Sequence, residues 1–145
     1  MKNLKLEAET IQVSIYCEII LQILYKHKEL SINKILVFAY LIKKDRFISR
    51  KIYNGNNTQD IIYKCISMLS GDYIEYCNSI EFILKAIHLL NENNLLSIEN
   101  DVLHGSTAVT FDKYIYEESM FFEKAIEASK RMNDMQFMKE VTHIV

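Results

Sequence analysis

Apolar residues recur along most of this chain at three- and four-residue spacing, the period of an α-helix. In residues 7–28, Ile11, Val13, Ile15, Tyr16, Ile19, Ile20, Ile23 and Leu24 cover most of a helix's circumference, leaving a narrow polar strip at Ser14, Glu18 and Gln22. A surface helix carries a narrower apolar stripe than this. The pattern therefore predicts a helix either central to its domain or sandwiched between the domain and a partner. Ser31 is placed to cap a second helix over 32–44, with Ile35, Leu36, Phe38, Ala39 and Ile42 on its inner face, and Thr58 a third to about residue 70. Gly71-Asp72 breaks the chain, a short segment 73–77 follows, and Ser79 is placed to cap a fourth helix over 80–91 carrying Phe82, Ile83, Ala86, Ile87 and Leu90. There the period changes. Residues 95–98 and 102–104 read as two strands about a turn at 99–101, with 108–111 as a candidate extension. A last helix is predicted over 113–140.

The class that results is mainly α. A winged-helix-like helical core over 31–111 with a small β hairpin is flanked by long N- and C-terminal helices at 7–28 and 113–140, in one domain spanning 1–145. Composition supports it. The chain has 145 residues with no proline and 3 glycines, where average usage gives roughly 7 and 10. Few residues can take the left-handed turns that a many-stranded sandwich or barrel needs. Phosphate loops and nucleophile elbows need clustered glycines, and Gly55, Gly71 and Gly105 stand alone.

Candidate chemistry is sparse. Cys17, Cys65 and Cys77 are odd in number and widely spaced, which suits reduced, buried thiols in a cytosolic protein better than a disulfide frame. His27, His88, His104 and His143 have no short spacing to one another or to a cysteine, so no metal and no cofactor is expected. The carboxylates Asp112, Glu117, Glu118 and Glu123 suit the positive end of the last helix better than a catalytic pair. No catalytic residue, cofactor-binding residue or small-molecule substrate is therefore assigned. The N-terminus is polar and the longest apolar stretch is interrupted, so a cytoplasmic protein with no membrane contact is expected.

Net charge is −2 but uneven. Residues 1–72 hold 11 Lys and Arg against 7 Asp and Glu, and residues 73–145 hold 6 against 12. The densest basic cluster, Lys43, Lys44, Arg46, Arg50 and Lys51, is a candidate contact to a DNA backbone or a solvated helix end. The helix over 80–91 carries Lys85 against Glu81 and Glu92, and the hairpin carries Glu99 and Asp101 with no Lys or Arg. That argues against reading DNA through this face.

The last helix is more informative. Tyr114, Phe121, Ala125, Ala128, Met132 and Met135 fall on one stripe, with Ile115, Phe122 and Ile126 on a second beside it. One stripe serves the chain's own core. Two stripes, together with the nearly all-round apolar first helix, exceed what a small domain needs, so both terminal helices are expected to meet another protein. Tyr114, Phe121, Phe122, Met132 and Met135 are the candidate partner-binding residues, methionine being adaptable at such surfaces.

The stretch Leu30-Ser-Ile-Asn-Lys-Ile-Leu-Val-Phe-Ala-Tyr-Leu-Ile-Lys-Lys44 resembles the apolar run ending in a basic pair of the small middle components of bacterial ABC-three-component systems. The helix after Thr58, the 73–78 segment, the 80–90 helix and the 94–98 strand follow in that family's order. The resemblance covers about residues 11–103, and the proline usual within 36–41 is absent. It implies a non-catalytic accessory subunit, like the small C subunit of Lamassu-type anti-phage and anti-plasmid defence. Its implied partners are an SMC- or Rad50-like ATPase and a nuclease-like effector, with non-specific DNA reached through the complex. The alternative expectation is a winged-helix DNA-binding transcriptional regulator, dimeric through the last helix.

Overall fold

The computed structural model describes residues 2–47, 58–106 and 120–144. Among the described residues the chain is mainly helical, with one small antiparallel sheet. The expected strand extension at 108–111 and the start of the last helix at 113–119 lie outside them.

Helix α1 (Lys2–His27) is longer than its apolar pattern predicts at the N-terminal end. Its second half is the centre of the fold. Val13, Tyr16, Ile19, Ile20, Ile23 and Leu24 are buried, and so is Gln22 from the supposed polar strip. Of the two places predicted for a helix apolar on most sides, the second half takes the central one, with Tyr25 left exposed and Ile15 and Leu21 partly buried. Lys28, with φ 72°, turns the chain into strand β1 (Glu29–Ser31). Sequence reading misses this strand because three residues are too few to show alternation.

Helix α2 (Ile32–Phe47) starts where Ser31 predicts, and the Ser31 hydroxyl accepts from the Lys34 N–H at 3.4 Å. Residues 35–42 are buried without a break. Helix α3 (Thr58–Ser67) ends earlier than its spacing predicts, in turns that close at Gly71 with φ 86°. Helix α4 (Tyr73–Glu92) absorbs the segment at 73–77. Ser79 is inside the helix and caps nothing. Its hydroxyl donates to the Glu75 carbonyl at 2.9 Å, a bond that lets serine sit within a helix.

Strands β2 (Leu96–Glu99) and β3 (Val102–Gly105) form the predicted hairpin. Asn100 and Asp101 turn it with φ of 51° and 62°, the pair of positive angles that a two-residue hairpin loop favours. Strand order is β1-β3-β2, antiparallel throughout, with Leu30 opposite Leu103 and Glu29 opposite His104. A strand after the first helix thus closes onto a hairpin that follows the later helices, in the winged-helix manner. Gly105 passes so near α1 that a Cβ there would stand 2.8 Å from the Leu24 carbonyl oxygen.

The last helix is two helices in its described part, α5 (Met120–Ser129) and α6 (Asp134–Ile144), which corrects the single helix expected to residue 140. Phe122, Ala125, Ile126, Phe137 and Val141 are all buried in one core with α1, α2, α3 and α4. Phe137 packs against Phe38 of α2, the ring centroids 5.7 Å apart.

Candidate functional site

The corner between α5 and α6 is built by polar side chains on apolar helices. Asn133 Oδ1 accepts from the Gln136 N–H at 2.8 Å, and Gln136 Oε1 accepts from the Asn133 N–H at 3.1 Å. This reciprocal cap starts α6 and ends any continuous helix. Beneath it lies Lys34, only 6% exposed. Its ammonium donates to the Ser129 carbonyl at 2.8 Å and the Met132 carbonyl at 2.6 Å, at the negative end of α5. Burial lowers the Lys34 pKa, and the Asp134 carboxylate partly offsets this.

A second tie joins the corner to α1. The buried His27 faces the Glu127 carboxylate at 3.0 Å through Nδ1. Lys130 reaches both Glu127, at 3.3 Å, and the His27 carbonyl. Hydrogen bonding from His27, helped by Lys130, holds the Glu127 carboxyl below its usual range.

With the corner fixed, the candidate partner-binding residues separate. Phe122 is 1% exposed and Phe121 is half-buried, its ring edge-on to Phe122 at 5.5 Å. Phe122 is thereby corrected from a surface anchor to a core residue, because the second apolar stripe of α5 is spent on the chain's own interior. Met132 is half-buried and lines a cleft of about 480 Å³ with Ile62, Tyr63, Arg131, Gln136 and Lys139. Met135 projects into solvent, 81% exposed, as does Met120 at the start of α5. Tyr114 lies outside the described residues.

The basic cluster does not stand as a free patch in the part that is described. Lys43 donates to Gln12 Oε1 of α1 and lies over the Tyr16 ring, 5.3 Å from its centroid. Burial lowers its pKa. Lys44 pairs with Asp72 at the start of α4. Both therefore tie α2 to its neighbours. The Arg46 side chain, Arg50 and Lys51 lie outside the described residues.

Sequence reading misses a second apolar cleft, of about 560 Å³, between α1 and α4. Leu6, Thr10 and Val13 line it from one side, and Leu84, His88 and Leu89 from the other. The signal lies in Leu4 and Leu6, which precede the predicted start of the first helix, and in the α4 leucines outside its inward stripe. Cys17 also borders this cleft, and burial pushes its thiol pKa up, away from the thiolate that nucleophilic chemistry uses. Cys65 is buried and Cys77 exposed, so the thiols do not share one environment. Among the described residues no group of three or more His, Cys, Asp or Glu is placed to hold a metal ion. Among the same residues no helix is long and apolar enough to cross a membrane.

Set against known protein families, curated proteins and solved structures, the chain matches none.

Proposed function

We propose that this chain is a non-catalytic adaptor that docks on another protein through the corner of α5 and α6. The observation that carries the reading is the placement of Met132 and Met135 at the cleft beside α3 and on the open face of α6. A polarizable, adaptable side chain at 81% exposure is of little use to the chain's own core. Arg131 and Lys139 at the same cleft offer polar anchoring around the apolar floor.

The partner class rests on the resemblance of the stretch 30–44 and the elements after it. They support a place in a three-component defence assembly, with an SMC- or Rad50-like ATPase and a nuclease-like effector, acting in the cytoplasm. The reading as a DNA-binding regulator has less support. The hairpin carries Glu99 and Asp101 without a basic residue, and Lys43 and Lys44 are occupied within the chain.

The test is co-expression with the proteins encoded beside it. The wild-type chain should co-purify with the ATPase. Met132→Glu and Met135→Glu should each weaken the complex about tenfold or more, as expected for a charge placed in an apolar contact. A stable wild-type chain that captures none of its neighbours overturns the proposal.

A further inference from the structure

A further cleft, of about 420 Å³, opens where α1, α2 and α4 meet, lined among others by Tyr16, Tyr40, Lys43, Glu75, Ser79 and Phe82. Two of these side chains lack the partner their chemistry calls for. Tyr16 is 1% exposed, and its buried hydroxyl makes no hydrogen bond with any described residue. Burial pushes the Tyr16 pKa up and the neighbouring Ser79 partly offsets this, but the Ser79 proton goes to the Glu75 carbonyl at 2.9 Å. A buried hydroxyl left in this state is uncommon, because nothing replaces the water it gave up. Lys43 is the second. Its ammonium lies over the Tyr16 ring, 5.3 Å from the centroid, and donates to the neutral Gln12 side chain. Among the described residues no carboxylate pairs with it, whereas Lys44 is matched by Asp72. A half-buried cation without a counter-ion and a buried hydroxyl without a partner thus border one cleft.

We propose that this cleft binds a small organic monocarboxylate, its carboxylate taking the Lys43 ammonium and the Tyr16 hydroxyl. An ionised carboxylate only accepts, and its two oxygens can serve both donors at once. The Lys43 ammonium turns from Gln12 to the ligand, and its flexible stem uncovers the Tyr16 hydroxyl as it moves. A phosphate dianion suits the cleft less well. Glu75 lines it too, its carboxylate accepting from the Tyr40 hydroxyl at 3.3 Å, and a second negative charge on the ligand would be repelled there. The volume exceeds what a carboxylate alone fills, and the rings of Phe82 and Tyr40 bound the rest of it. The body of the ligand is therefore apolar, a short aliphatic chain or a single ring. The site is built from α1, α2 and α4, apart from the α5–α6 corner, and does not depend on the adaptor reading.

The experiment is an NMR titration of the full chain with butyrate, benzoate and 3-phenylpropanoate, and with 3-phenylpropanamide and inorganic phosphate as controls. At least one carboxylate should shift the amide signals around Tyr16, Lys43 and Ser79 saturably, with a Kd of about 1 mM or tighter. The neutral amide and phosphate should each bind at least about tenfold more weakly. Tyr16→Phe and Lys43→Met should each weaken the carboxylate about tenfold. Without ligand, Tyr16→Phe should melt no lower than wild type, because the hydroxyl it removes has no partner in the chain. No saturable shift by any of the three carboxylates up to about 10 mM overturns the proposal. So does an amide or phosphate that binds as well as the carboxylates, binding indifferent to both variants, or a Tyr16→Phe chain that melts below wild type without ligand.

Discussion

Lys34 is the residue whose role is least readable from the sequence and most plain in the structure. It sits among Ile32, Ile35 and Leu36, and its type predicts a solvated position. What buries it is the end of a helix almost a hundred residues further on, whose carbonyls need a donor. No local pattern encodes such a pairing. Lys34→Met keeps the bulk and removes the donor. It should cost about 1–3 kcal/mol, because buried carbonyls are left unpaired, read as a lower urea midpoint at unchanged slope. Full wild-type stability would show that the cap contributes nothing. Glu127 gives a pH-dependent companion to this test. Its carboxyl is held below the ordinary value of about 4.3, so its contribution is present above that value and is lost as pH falls through the depressed one. Acidification in that range should lower the melting temperature, and Glu127→Gln should flatten the slope. An identical slope in the variant would contradict the His27–Glu127 tie.

At the scale of elements, the long periodic stretches were readable and their joints were not. Residues 32–42 and 80–90 form the helices their spacing predicts, and the Asn100-Asp101 turn closes the predicted hairpin. Strand β1 is defined only by its partner β3, so nothing within Glu29–Ser31 announces it. The corner at 130–133 did leave a local signal, since Asn133 and Gln136 stand at capping-box spacing. The apolar stripe through Met132 and Met135 masked it. Asn133→Ala should destabilise the chain by about 1 kcal/mol through loss of the cap, measured by thermal unfolding. Gly105→Ala forces a methyl group toward the Leu24 carbonyl oxygen and should cost about 1–3 kcal/mol as β3 is pushed off α1. A neutral outcome at Gly105 would mean that this approach is looser than 2.8 Å.

For the whole molecule, the all-round apolar first helix and the two stripes of the last one looked like an excess of hydrophobic surface. Most of it is core. The second half of α1, Phe122, Ile126, Phe137 and Val141 bury one another across long sequence separations, and a one-dimensional pattern does not reveal that closure. Among the described residues, what remains exposed includes Met135 on α6, near the cleft that the half-buried Met132 lines, and Leu4, Leu6, Leu84 and Leu89 along α1 and α4. With net charge −2, an acidic hairpin and two of its lysines engaged internally, the isolated chain should not shift a DNA duplex at low salt. A shift that vanishes steeply with added salt would favour the regulator instead. The adaptor claim itself is tested most directly by the affinity of the purified chain for the proposed partner, an SMC- or Rad50-like ATPase from the same source, measured by calorimetry for wild type and Met135→Glu. The account predicts a saturable complex for wild type and at least about a tenfold loss for the variant, a difference of 1.4 kcal/mol or more. No binding by wild type, or equal binding by both, would contradict it.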